Sequence, residues 1–290
     1  MCWPRVTEEE GKAQPLKVDV DLVLVPVTVR DQLDCLVIGL QRDDFSVYDR
    51  GDQQVISHFS TEDAPISLGV IFDTSSSMRG TIPRAFESVV DFFRGANPED
   101  ELFLVAFNDR PELLVNFTSS IEDIENQLAN LRPNGTTALL DAVYFGLNQM
   151  NKAHNERKAL LIVSDGGDNH SRYNAREVLS VVSEAGVQIY AMGIFDEAPR
   201  GKAERIGPSL LGSITDSTGG KTFPIHNLKD IGDIAERLAI ELRNQYLLAY
   251  HPTSLGHDGK WHKISVRVTP PPNSPRLRVY AKMGYYAPAR

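Results

Sequence analysis

A carboxylate and two hydroxyls stand at alternate positions in Asp73-Thr74-Ser75-Ser76-Ser77, directly after the apolar run Leu68-Gly69-Val70-Ile71-Phe72. Their oxygens are hard donors. Hard donors suit Mg2+, which takes an octahedron of oxygens at roughly 2.0 to 2.1 Å and keeps several waters. Asp and Ser also cap helices by accepting the unpaired N–H groups of a first turn, so the spacing alone leaves both readings open. Two further stretches add donors of the same kind. Asn134-Gly135-Thr136-Thr137 precedes a helical period, and Ser164-Asp165-Gly166-Gly167-Asp168 follows the apolar run Ala159 to Val163. Ligands of an open α/β sheet bind beyond the carboxyl ends of its strands. If all three stretches open there, Asp73, Ser75, Ser77, Thr136 and Asp165 form one set of oxygen groups.

Enzymatic readings find less support. A haloacid-dehalogenase-type Asp nucleophile at Asp73 needs a second Asp two residues on as acid and base, and that position is Ser75, which cannot do this at neutral pH. Neither a P-loop lysine nor a G-x-S-x-G elbow is present. No catalytic residue and no organic cofactor are assigned, and the chain reads as a non-enzyme. Asp168 reads as a turn or helix-cap residue. His154 and His170 each lack a second ligand at helical spacing and read as surface or satisfied side chains.

The elements that must position these donors are legible as periodicity. Leu68 to Phe72, Leu102 to Phe107, Ala159 to Val163 and Val187 to Met192 are short apolar runs, as expected of strands buried on both faces. Between them lie amphipathic helical periods: Ile82, Phe86, Val89, Val90 and Phe93; Leu139, Ala142, Val143, Gly146, Leu147 and Met150; and Val178, Val181, Val182 and Ala185. Leu228, Ile231, Ala235, Leu238 and Leu242 form another. Strand and helix in alternation predict right-handed crossovers and a doubly wound, mostly parallel, Rossmann-like α/β domain over residues 63–243. The stretch from Pro199 to Pro208 reads as a surface loop.

Both flanks read as β. Val18, Val20, Leu22 and Leu24 alternate with their neighbours, and Pro26 suggests an edge strand or bulge. Phe45 to Tyr48 and Val55 to Phe59 read as a hairpin across Asp49-Arg50-Gly51-Asp52. Tyr246 to Tyr250, His262 to Val268 and Leu277 to Tyr280 supply strands at the other end. Segments 15–62 and 244–290 are each too small to bury a face alone, so they are expected to pack together as a smaller all-β domain built from both chain ends.

Composition bounds the partners. The 290 residues carry a net charge of −9, which argues against sequence-independent binding to nucleic acid or anionic lipid. No apolar run approaches the ~20 residues that span a bilayer, so membrane insertion is not expected, and the residues after Met1 lack the apolar core of a signal peptide. Cys2 and Cys35 make neither a disulfide framework nor a zinc set.

The set Asp73, Ser75, Ser77, Thr136 and Asp165 resembles, in order and in the element each follows, the metal-ion-dependent adhesion site of von Willebrand factor type A (VWA) domains. The resemblance implies a doubly wound fold that binds Mg2+ or Mn2+, with Ca2+ less favoured, and leaves one coordination position for an acidic group of a protein ligand. Asp73, Ser75 and Ser77 would be direct ligands, Thr136 direct or water-mediated, and Asp165 held through water. Asp141 resembles the acid of the Leu-x-Asp-Ala stretch in such domains, where it supports the loop. Asp43 to Gly51, Gln245 to Pro252 and Gly284 to Pro288 look like the bacterial "VWFA-related" family common in acidobacteria, whose members often carry signal peptides. That implies an exported, adhesion-like protein; an intracellular scaffold docking an ATPase or metal-insertion machinery is the alternative. Ser76 and Asn134 depart from the usual pattern, each replacing a Gly. If residue 76 had φ > 0, the cost would be roughly 1 to 2 kcal/mol.

Overall fold

The computed structural model describes residues 22–61, 63–94, 97–196, 201–253, 258–270 and 276–287; the expected strand start at Val18 and Val20 lies outside them. The described chain opens with β1 (Val23–Arg30), β2 (Phe45–Asp49), β3 (Asp52–Gln54) and β4 (Ile56–Ser60). Strands and helices then alternate through β5 (Ile66–Asp73), α1 (Ile82–Arg94), β6 (Glu101–Phe107), β7 (Pro111–Thr118), α2 (Ile121–Ala129) and α3 (Leu139–Met150). They continue through β8 (Arg157–Ser164), α4 (Ala175–Glu184), β9 (Gln188–Ile194), α5 (Lys202–Ser217), β10 (Thr222–Ile225) and α6 (Ile231–Arg243). The last strands are β11 (Tyr246–Tyr250), β12 (Trp261–Val268), β13 (Arg278–Ala281) and β14 (Gly284–Tyr286).

The middle of the chain is a doubly wound α/β unit. Its sheet runs β10-β9-β8-β5-β6-β7, parallel except for the antiparallel edge strand β7. Every residue of β5 and β9 is buried, which explains the unbroken apolar runs. Helices α1, α2 and α6 cover one face, and α3, α4 and α5 the other. Gly146 lets α3 approach the sheet: a Cβ there would lie 2.7 Å from the Ile71 side chain. β7 and α2 were not expected from the sequence, although Ser120 caps α2 by accepting from Asp123 N–H and the helix buries Ile124 and Leu128. Residues Lys202 to Pro208 are not a loop. They begin α5, which carries Pro208 in its interior and meets the β8–α4 loop backbone to backbone at Gly207 and Gly166.

Both chain ends build the all-β part. Two antiparallel sheets, β13-β1-β11-β4 and β14-β12-β2-β3, mix strands from the two ends. Their inner faces share one core that includes Val25, Val27, Val47, Tyr246, Leu248 and Ile264. Asp49 of β2 is buried, and its Oδ2 accepts from the Tyr250 hydroxyl at 3.0 Å and the Tyr285 hydroxyl at 2.9 Å. Pro26 does not mark an edge strand, since β1 lies inside its sheet. β13 begins pairing only at Val27, so at Pro26 only β11 lies alongside, and the missing N–H costs no bond on the other side. The hairpin also differs from expectation. β2 turns back into β3 through Arg50 (φ 51°) and Gly51 (φ 96°), a two-residue turn with both centres left-handed. The chain then crosses to the other sheet as β4.

Polar contacts join the two parts. The buried Arg30 of β1 pairs with the buried Glu241 of α6, and Asp34 accepts from Lys221 at 2.6 Å. The amide nitrogen of Gln245, between α6 and β11, lies 2.8 Å from Gln188 Oε1 and 2.7 Å from the Tyr190 hydroxyl. Among the described residues no helix is long and apolar enough to cross a membrane.

β11 lies between β1 and β4, so it depends on the first segment for both of its neighbours. We propose that residues 22–60 and 246–286 fold as one unit. A chain beginning at residue 63 should lose slow amide exchange across Tyr246 to Tyr250, measured by hydrogen exchange. Protection equal to that of the full chain would show that β11 holds without those partners.

Candidate metal centre

Asp73 is the last residue of β5, and its side chain is wholly buried. The chain then leaves the sheet edge and tightens into a 3₁₀ turn over Ser76–Gly80, anchored by the buried Met78. The Asp73 carboxylate is held from two sides. Oδ1 accepts from the Ser75 N–H at 2.8 Å, and Oδ2 accepts from the Ser164 hydroxyl at 2.5 Å. Burial, then the charge of Asp165, pushes the Asp73 carboxyl up to about 7, against the smaller opposing pull of these hydrogen bonds.

The hydroxyls beside it lie close together and hydrogen-bond to one another. Ser75 Oγ and Ser77 Oγ lie 3.0 Å apart. Two oxygens at right angles on an octahedral ion are separated by √2 times the metal–oxygen distance, about 2.8 to 3.0 Å for Mg2+ and about 3.3 to 3.7 Å for Ca2+. The separation is compatible with the smaller cation, and it is equally that of the hydrogen bond the two hydroxyls make with each other. Ser76 does not have a positive φ, so its substitution for Gly brings no backbone strain; the left-handed residue is Gly135, with φ 74°.

Two neighbouring segments, the end of β6 and the loop before α3, are braced against this turn. Thr74 N–H donates to Phe107 O at 2.8 Å, Asn134 N–H to Thr74 O at 2.9 Å, and Ser76 N–H to Gly135 O at 3.2 Å. Thr136 sits on the second loop, exposed, and is engaged by a residue that sequence reasoning missed. Both its N–H, at 2.7 Å, and its hydroxyl donate to Asp109 Oδ1, in the turn between β6 and β7. These two hydrogen bonds hold the Asp109 carboxyl below its usual range. Asp165 follows β8, accepts from Gly167 N–H at 2.9 Å, and shares with Ser77 the wall of a cleft of about 560 Å3 whose far side includes Phe195, Arg205 and His226.

The remaining candidates fall into supporting places. Asp168 Oδ1 accepts from Leu140 N–H at 3.3 Å and the Ser171 hydroxyl at 2.5 Å, so it caps α3. Asp141, buried in the first turn of α3, accepts from the N–H groups of Arg172 and Tyr173 at 2.9 and 3.1 Å. It fastens the loop after Asp165 to the helix after Thr136. His154 pairs with Glu101 at 2.8 Å near the start of β6, away from these strand ends. Ser164, the second partner of Asp73, was also missed. Among the described residues no group of three or more His, Cys, Asp or Glu is placed to hold a metal ion. A cation at this edge would therefore rely on hydroxyls.

Residues 68–167 match the family model described as von Willebrand factor type A domain. No curated protein sequence matches the chain. Among solved structures, a von Willebrand factor type A protein from Catenulispora acidiphila is similar with TM-score 0.55 at 10% identity, over 93% of this chain and 75% of that one. Proximal thread matrix protein 1 from the mussel byssus, with a zinc-occupied MIDAS motif, gives TM-score 0.54 at 18% identity over 67% of this chain and 49% of its own. The vWF domain of the type V pili tip protein Mfa5 from Porphyromonas gingivalis gives TM-score 0.51 at 12% identity over 61% and 95%. The family match falls on the strands and loops that carry Asp73, Thr136 and Asp165, so residues 68–167 are similar to a von Willebrand factor type A domain and the chain shares the fold of such proteins.

Proposed function

We propose that the chain is a non-catalytic protein-binding module whose recognition depends on a divalent cation, Mg2+ or Mn2+, held at the Asp73 turn. The carrying observation is the 3.0 Å separation of the Ser75 and Ser77 hydroxyls beside a fully buried carboxylate. Asp73, Ser75 and Ser77 would hold the ion directly, Thr136 directly or through water, and Asp165 through water. Asp73 is then the one anionic group in direct contact. A bound divalent ion supplies excess positive charge and an open coordination position. An acidic side chain of another protein fits both requirements. With a net charge of −9 on the chain, the cation also offsets long-range repulsion of that partner. The zinc-occupied MIDAS of the mussel protein and the pilus-tip setting of the Porphyromonas domain support this reading by analogy, including an exported location.

Binding requires Asp73 in its ionised form. Because its carboxyl is raised to about 7, Mn2+ affinity measured by calorimetry should fall by up to about tenfold per pH unit below that value and level off above it. The metal-free protein should behave oppositely: the raised value favours the protonated folded form, so this group's contribution to stability is lost as pH rises from about 4 to 7. Asp73→Ala should abolish binding at every pH. Equal Mn2+ affinity in wild type and Asp73→Ala would sink the assignment.

A pull-down from native extract tests recognition itself. A partner should be retained in Mg2+ and lost both in EDTA and with Asp73→Ala. Equal retention in all three would place the recognition surface elsewhere.

A further inference from the structure

The Asp109 carboxylate, which accepts from Thr136, belongs to none of the five donors of the motif. Asp109 lies in the turn Asn108-Asp109-Arg110, where β6 folds back into the edge strand β7. That turn is strapped to the Thr136 loop on both sides of Thr136. The Asn108 amide donates to Asn134 Oδ1 at 2.6 Å, and Ala138 N–H donates to Asn108 O at 2.8 Å. Between these straps the backbone N–H and the hydroxyl of Thr136 converge on the same oxygen, Asp109 Oδ1. Gly135 makes the approach possible. It has φ 74°, and a Cβ on it would lie 2.7 Å from Asp109 Oδ1.

A threonine hydroxyl has one proton and two lone pairs, and it can serve a cation only through a lone pair. Its proton must therefore be taken by another acceptor. We infer that Asp109 is a positioning residue of the metal centre: by accepting the Thr136 proton it turns the hydroxyl's lone pairs outward as a donor and passes negative charge to that oxygen. The inference rests on the metal-binding reading above and extends it to a residue outside the motif. Hydrogen-bonded partners behind a ligand fix its orientation and raise its basicity, and their loss typically weakens metal binding by roughly 10- to 100-fold. Asp109 is exposed, so replacing it removes little packing. Competition is the contrary possibility, with Asp109 withholding Thr136 from the ion; the two differ in sign.

The test is Mn2+ titration of the full chain, followed by calorimetry and by the electron paramagnetic resonance spectrum of the bound ion. Wild type is compared with Asp109→Ala, Asp109→Asn, Thr136→Val and the Asp109→Ala/Thr136→Val double variant. Asp109→Ala should lower Mn2+ affinity about tenfold or more. Asp109→Asn, isosteric and still an acceptor, should restore part of the loss, and it keeps the test sound if Asp109→Ala disturbs the turn. The double variant should bind no more weakly than Thr136→Val, because without the hydroxyl there is nothing to orient. Asp109→Ala and Thr136→Val should also alter the Mn2+ spectrum alike, which a merely structural role would not produce. Unchanged or tighter binding in Asp109→Ala, or fully additive losses, would overturn the inference while leaving the metal centre standing. Wild type that binds no Mn2+ would instead overturn the metal reading, and this inference with it.

Discussion

A carboxylate at the end of a completely buried strand is the constraint around which this edge of the molecule is organised. Taking a charge out of water is costly unless it is paired, and among the described residues Asp73 is held by the Ser75 N–H and the Ser164 hydroxyl and not by a cationic side chain. The neighbouring carboxylate of Asp165 adds repulsion. An arrangement that brings a second acid near a buried one at a strand end is a local conflict, of a kind that natural sequences tolerate mainly at functional sites. A divalent ion would relieve the burial and the repulsion together. The close hydroxyl pair then has a use beyond capping, since no side-chain cap hydrogen bond to the 3₁₀ turn comes from Ser75.

The second condition is that the donors stay in register although they come from three loops. Short backbone bonds link the Asp73 turn to the Thr136 loop, and Asp141, Asp168 and Asn169 link that loop's helix to the segment after Asp165. The Gly166 and Gly207 contact presses α5 against the same segment. The site is thus carried by strand ends and helix starts, which hold geometry better than free loops do. The β part is fixed to the far side of α6 through Arg30 and Glu241, and its own core joins chain segments about 200 residues apart, such as Asp49 and Tyr250.

Much of this was legible because periodicity and strand-end position are local properties. The apolar runs of β5, β6, β8 and β9 and the helical faces of α1, α3, α4 and α6 could be marked residue by residue, and the donors follow those elements in order. What escaped was set by long-range geometry. Asp109 has no motif around it, and its contact with Thr136 arises only because β7 folds back antiparallel and brings the turn onto that loop. Ser164 is one more small residue at a strand end until β8 lies beside β5. The opening turns of α5 were hidden by Gly201, Gly207 and Pro208, residues that ordinarily break helices; here Gly207 is needed because a Cβ would strike the backbone of Asp165 and Gly166. The course of β3 and β4 depended on which sheet would take the strand after the turn, a matter of partners and not of propensity.

Anomalous diffraction from crystals soaked in Mn2+ bears most directly on the claim that the Asp73 turn is a metal centre. The account predicts one strong peak within coordination distance of Ser75 Oγ, Ser77 Oγ and the Asp73 carboxylate, with the two hydroxyls still close to their present 3.0 Å separation. Peaks confined to surface carboxylates elsewhere, with Asp73 still bonded only to Ser75 and Ser164, would contradict it.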